Sequence, residues 1–329
     1  MTAGFFLILI SGLRSSVGDT GYYMYSFVTS STKDIANKSE PGFLYYQEAI
    51  RLIGTHPQVF LFISSLLTIS LILYTTYKYV DGSIYAIFLF VTIGFYVTSM
   101  NGLRQCLVAA VLFWATKYII KGKFFRYALI VLIMMSIHSS AIVMIPIYFI
   151  VRTKAWSGRI IFFSISFIFG IAFFLPLSGF FTNIISSTQY GNYVDVFSGD
   201  ISNGANLFRI LVQSVPVVLG FVFRKKLTEK MANYDIIMNF SLINVLIFML
   251  GFYNWLFIRL AIYFELYNII LIPLILIYCF SERDRIFIKG LAFVLYTIFF
   301  LFDVQAYVYC SYFLNINLDQ IGSLTKTFY

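Results

Sequence analysis

Apolar runs of membrane-crossing length, joined by short loops that carry most of the basic residues, constrain this chain more than any other feature. A helix rises about 1.5 Å per residue, so about 20 apolar residues cross a roughly 30 Å hydrocarbon core. Runs of that kind are expected to span at Pro57–Tyr77, Ser83–Met100, Leu103–Ile120, Ile160–Leu177, Arg209–Phe223, Asp235–Phe252, Leu260–Cys279 and Gly290–Asp303. With the amino-terminal run the pattern predicts an all-α, polytopic integral membrane protein of about 9 transmembrane helices. Residues are 60% hydrophobic and 11% charged, where a soluble domain carries about 25% charge. The net charge of +9 does not point to nucleic acid, because the basic residues sit in the loops where topology requires them. The three cysteines, Cys106, Cys279 and Cys310, show neither a metal-ligand spacing nor a disulfide framework. No metal or other cofactor is implied.

The amino-terminal run Thr2–Leu13 covers only about 18 Å as a helix and reads as a half-helix or as the end of a span begun upstream. No basic stretch precedes it and no A-x-A site follows, so it does not read as a cleaved signal peptide. The chain is expected to form a single polytopic domain over 1–329. Within it, 14–56 reads as an outward polar, interfacial segment. Residues 178–208, rich in Gly, Asn, Ser and Tyr, read as an outward loop longer than ordinary connectors.

Tyr127–Val151 is long enough to cross once, or to dip in and return. Basic residues decide between these. With a return, ten of those that follow fall inside (Arg152, Lys154, Arg159, Arg224, Lys225, Lys226, Lys230, Arg283, Arg285, Lys289) and three outside (Arg209, Arg259, Lys326). A single crossing inverts that count against the positive-inside rule. A re-entrant pair of short helices over 127–151, with His138 at its apex, is therefore expected; such backbone is tolerated where protein or a cavity surrounds it.

Ionisable residues at membrane depth are costly and default to a functional reading. With the amino end inside, Arg14, Asp19, Glu40, Arg104, Gln105, Arg209, Arg259 and His138 share the outer side. Planar guanidinium groups match phosphate oxygens, so the arginines suit a diphosphate clamp; the alternative is snorkelling at the interface or pairing with Asp19 and Glu265. His138 suits proton transfer or donation to phosphate, against the alternative of a hydrogen-bonded core histidine. Asp19 and Glu40 are the outward candidates for general base, while Glu265 reads as structural. No phosphate-binding glycine loop, nucleophile elbow or H-E-x-x-H zinc motif is present.

Read in order, GLRSSVGD with Tyr23, EPGF, NGLRQ before an apolar helix, IHSSA and RLAIYFELYNIILIP resemble the EpsG/Wzy-like family of bacterial polysaccharide polymerases. The resemblance covers most of the chain, and the ordered set carries it. It implies a multi-pass glycosyltransferase of the bacterial inner membrane. Such an enzyme joins oligosaccharide repeat units carried on undecaprenyl diphosphate, at the outer face, into exopolysaccharide, capsule or O-antigen. It implies catalytic roles for His138, Asp19 and Glu40, and substrate or diphosphate contact for Arg14, Arg104, Gln105, Arg209, Arg259, Tyr23 and Tyr263. Expected partners are lipid-linked oligosaccharides, membrane lipid, and a chain-length regulator and flippase of the same pathway. Two competing readings are a flippase of lipid-linked oligosaccharide and a membrane O-acyltransferase.

Overall fold

A computed structural model describes residues 2–30, 40–80, 84–174, 205–253 and 255–304. These form helices and connecting turns with no strand among them. In chain order the helices are α1 Thr2–Gly12, α2 Thr20–Thr29, α3 Pro41–Arg51, α4 Pro57–Tyr79, α5 Ile84–Thr92, α6 Phe95–Asn101, α7 Leu103–Ile120, α8 Phe124–Met135 and α9 Met144–Val151. They continue with α10 Gly158–Phe174, α11 Leu207–Val222, α12 Arg224–Lys230, α13 Tyr234–Gly251, α14 Trp255–Ala261, α15 Leu266–Cys279 and α16 Glu282–Phe299.

Among the described residues four helices are long and apolar enough to cross a membrane, and three bent pairs bring the count to seven if each pair is one span. The expected count of about nine is not reached within them. The expected span Ser83–Met100 is one of the bent pairs: α5 and α6 meet at 55°, where Gly94 takes a left-handed φ of 93° that a residue with a Cβ adopts only at a cost. The linker 31–39, residues 178–204 of the expected outward loop and Lys326 lie outside the described residues.

The chain forms two compact units, one of Met1–Tyr148 with the segment from Phe280, the other of Phe149–Cys279. Inside lipid, apolar burial gives little driving force, because lipid tails are as apolar as leucine; close backbone approach and polar contacts must hold helices together. The first unit shows both. Helix α1 lies against α4 so closely that a Cβ on Gly12 would stand 2.6 Å from the Phe62 ring. Ser11 and Ser65 share a hydrogen bond of 2.9 Å across the same interface. Helix α7 packs beside α4 with Ala109, Ala110 and Ala115 buried. Toward the polar end, Tyr23, Phe27, Phe43, Phe60 and Leu103 form an aromatic core, with Phe27 stacked on Phe60 at 5.0 Å. Phe5, Phe6, Leu66, Leu67, Phe125 and Leu129 point outward, an apolar exterior that suits contact with lipid.

The segment expected to re-enter folds back on itself. Helix α8 ends at Met135; Ser136–His138 turn the chain; a 3-10 turn over Ser139–Val143 leads into α9. Tyr148 near the end of α9 meets Phe124 at 5.1 Å and Tyr127 at 5.6 Å, both at the start of α8. The segment is an antiparallel helical hairpin with His138 in its turn.

In the second unit α13 is the central helix, with thirteen buried residues including Phe240, Asn239 and Asn244. Phe240 stacks on Tyr267 of α15 at 3.7 Å. Asn239 donates to the carbonyls of Val151 and Thr153 at 3.1 and 2.7 Å, tying α13 to the end of α9. The Trp156 indole donates to the Tyr234 hydroxyl at 2.8 Å, which in turn donates to the Gly220 carbonyl at 2.7 Å.

Candidate functional site

The polar end of the first unit is organised by Glu40. This residue precedes Pro41 at the start of α3, where proline suits the first helical position and fixes the chain direction. Its side chain, 13% exposed, receives groups from two other elements. Arg104 Nη1 lies 2.6 Å from Oε2. The Ser139 backbone N–H donates to Oε1 at 2.8 Å and the Ser139 hydroxyl at 3.1 Å. His138 Nδ1 stands 3.1 Å from the same oxygen, without the alignment of a hydrogen bond.

Each donor is placed by a local constraint. Arg104 is in the first turn of α7, where the helix dipole disfavours a cation unless an anion stands beside it. It rests over the Phe43 ring at 5.1 Å, and the Tyr23 hydroxyl lies within electrostatic reach of both Arg104 and Asp19. The hairpin turn is fixed to the start of α3 by Gly42 N–H donating to Ser136 O at 2.8 Å. Burial alone would raise the Glu40 carboxyl. The close contact of His138, the hydrogen bonds from Ser139 and the charge of Arg104 outweigh that and hold it down at about 2. Donors this strong fit any compact anion. A carboxylate so stabilised is also a weak base near neutral pH, so Glu40 in this geometry is suited to filling the cradle rather than to taking a proton.

Asp19 sits at the start of α2, exposed and beside the cradle. Its N–H donates to Asn101 Oδ1 at 2.9 Å, and Gly18 before it has φ +52°, with Asn101 Oδ1 2.2 Å from where a Cβ would be. The GLRSSVGD and NGLRQ motifs are thus in direct contact. Arg14, expected at the diphosphate, is instead buried with 3% exposure. Its guanidinium donates to Thr20 Oγ1 at 3.1 Å, Ser65 Oγ at 3.1 Å, the Met100 carbonyl at 3.1 Å and the Ser11 carbonyl. It joins α2, α4 and α6 to the end of α1, which is a structural use of all that donor capacity. Gln105 is buried behind Arg104 in sequence.

Arg209, Arg259 and Tyr263 belong to the second unit. Arg209 lies over the Phe248 ring at 5.3 Å and Arg259 over Trp255 at 4.8 Å; Tyr263 is buried. The same unit contains a polar cluster the sequence reading missed except for Glu265. Gln213 Nε2 donates to Glu265 Oε1 at 2.6 Å, while Asn244 and Asn268 donate to Gln213 Oε1 at 3.0 and 2.9 Å. The available signal was three lone amides inside apolar runs, LVQSV, LINVL and LYNII. Among the described residues no group of three or more His, Cys, Asp or Glu is placed to hold a metal ion.

The sequence model of the EpsG family matches this chain over residues 1–315. No curated protein matches it, and no solved structure does.

Proposed function

We propose that this protein, which belongs to the EpsG family, transfers glycosyl groups between lipid-linked saccharides, extending one repeat unit by another. Family membership makes it a polysaccharide polymerase-like membrane protein with lipid-linked saccharides as its substrate class. The finer reading is a donor glycan on undecaprenyl diphosphate and an acceptor repeat on the same carrier, joined at the outer face of the cytoplasmic membrane into exopolysaccharide, capsule or O-antigen.

The observation that supports it is the convergence of Arg104, His138 and the Ser139 N–H and hydroxyl on a single anionic group. In the reaction the bond between the donor's anomeric carbon and the diphosphate oxygen breaks, and its electron pair leaves with the diphosphate. The acceptor hydroxyl oxygen bonds that carbon and its proton passes to a base. Donors already aimed at one point stabilise the developing diphosphate charge without reorganising. In this scheme the diphosphate displaces Glu40 from the cradle. Asp19, exposed at the rim beside Tyr23, takes the proton.

A second reading, transport of a lipid-linked saccharide, is favoured by the three bent helix pairs, since broken helices mark many transporters. Purified protein incubated with lipid-linked repeat units separates the two. Longer chains, lost in Arg104→Ala, support polymerisation. Translocation across a vesicle without elongation overturns it.

A further inference from the structure

Arg14 carries a charge into the interior of the first unit and meets only neutral groups there. It is buried, and the atoms its guanidinium reaches are hydroxyls and carbonyls of Ser11, Thr20, Ser65 and Met100. A buried cation without a counter-charge is costly, and apolar packing would join the same helices at less cost. What the guanidinium adds is direction. Its Nε donates to Thr20 Oγ1 and its Nη2 to the Met100 carbonyl, both at 3.1 Å. Thr20 follows Asp19 in sequence, and Met100 precedes Asn101.

Asn101 fastens the neighbouring position. It is the last residue of α6, and its Oδ1 accepts the Asp19 N–H at 2.9 Å. Asp19 is thus held from two directions by one short segment: its own N–H by Asn101, and the next residue through Arg14 to Met100. The same segment leads into Arg104. Gly102 N–H donates to the Thr98 carbonyl at 2.8 Å and Cys106 N–H to the Gly102 carbonyl at 2.9 Å, so backbone hydrogen bonding runs across the junction of α6 and α7. The Asp19 carboxylate stands at the N-cap position of α2 yet makes no capping bond, although aspartate is among the residues that favour that use. Its backbone is fixed while its side chain is left exposed.

We propose that Asn101 is a positioning residue. By holding the Asp19 backbone it sets the separation between the carboxylate that takes the acceptor proton and the Arg104 guanidinium that meets the leaving diphosphate. Arg14 supports the same frame from within. The proposal rests on the glycosyl-transfer reading given above, in which these two groups serve the bond that forms and the bond that breaks at one anomeric carbon. Their spacing then matters to the rate, since a misplacement of about 1 Å can cost about a hundredfold.

Chain extension by the purified full chain tests it, followed with lipid-linked repeat units at limiting and saturating acceptor over a range of pH. Asn101→Ala is expected to lower kcat by about a hundredfold and to leave KM for the acceptor little changed. Asn101→Asp keeps an oxygen for the Asp19 N–H and adds a negative charge beside Asp19. It is expected to restore most of kcat at high pH and to move the acid limb of the profile upward, because a nearby like charge raises a carboxyl pKa. The other charged or titratable groups at this end are Tyr23 on α2, Arg104 on α7, Glu40 before α3 and His138 in the hairpin turn, and both variants leave them unaltered. A lower melting temperature in Asn101→Ala with kcat unchanged would make Asn101 a mere link between α2 and α6 and overturn the proposal. An Asn101→Asp profile that coincides with the wild type would overturn it as well. Asp19→Asn tests the underlying reading separately: extension that survives this change places the base elsewhere and overturns the positioning role, while polymerisation itself stands. Asn101→Asp is nearly isosteric and gives a reading even where Asn101→Ala does not fold.

Discussion

Glu40 and Arg104 are separated by 64 positions in sequence, and their side chains meet at 2.6 Å. The pair joins the start of α3 to the start of α7 at the place where the hairpin turn also arrives. A guanidinium at a helix N-terminus is a poor neighbour for anything but an anion. The position is therefore suited to exchanging one anion for another.

Arg104→Ala is expected to abolish chain extension at normal membrane levels, measured as the glycan ladder from lipid-linked repeats. Arg104→Lys keeps the charge but loses the planar fork, and is expected to be impaired as well. Full activity in Arg104→Lys would show that a point charge suffices and remove the bidentate clamp.

Glu40→Gln takes away the carboxylate that fills the cradle. Binding of inorganic pyrophosphate, followed by thermal shift, is expected to tighten in this variant, whereas a purely structural Glu40 predicts weaker binding or none. The pH dependence has a definite sign. Folding lowers the Glu40 pKa from 4.5 to about 2, so its stabilising contribution is complete above the ordinary value and is lost as pH falls from about 4.5 through about 2. The wild-type melting temperature should fall across that window, and that of Glu40→Gln should fall less.

His138→Gln preserves approximate volume and hydrogen bonding while removing titration. Chain extension is expected to drop by about two orders of magnitude, the lower range for loss of one donor to a developing anionic charge, at near-normal protein levels. Retained activity in His138→Gln with loss of folded protein in His138→Ala would assign the imidazole to holding the hairpin turn.

The hairpin over α8 and α9 fixes a topological outcome. In a background with native cysteines replaced, Lys123→Cys and Lys154→Cys are expected to label from the same side of the membrane, with Thr228→Cys, and Tyr45→Cys from the opposite side. Opposite labelling of positions 123 and 154 would mean a single crossing.

Gln213→Leu removes the amide that links Glu265 to Asn244 and Asn268. A loss of about 1–3 kcal/mol is expected from a buried polar group deprived of such a bond, read as a lower unfolding midpoint in detergent.

Much of the first unit's polar end was legible in sequence because its residues fall in compact motifs. NGLRQ and IHSS stand out against apolar surroundings, and the basic flanks of 127–151 gave away the return of the chain. The surroundings of Arg14 were not legible for a physical reason: a sequence shows that an arginine stands near an interface, not whether serines, a threonine and a carbonyl from distant helices will surround it. The Gln213 cluster was overlooked because its members are single polar residues in separate spans, and only packing brings them together. The kink at Gly94 was hidden by an apolar run that reads as one continuous helix until the left-handed φ is seen.

The contact between Gly42 and Ser136 has a genetic consequence. A Cβ at position 42 would fall 2.1 Å from Ser136 Oγ and 2.9 Å from the backbone carbon of the same residue, so the two chain segments leave no slack for a side chain between them. The turn bearing His138 and the residue pair Glu40–Pro41 therefore move as one piece. Trimming Ser136 to glycine relieves the clashes with its Oγ and Cβ and leaves the backbone carbon at 2.9 Å. Suppressors of a damaged Gly42 should map to the hairpin that carries residue 136 and shift its whole turn, and lineages in which position 42 acquires bulk should show compensating change along that hairpin.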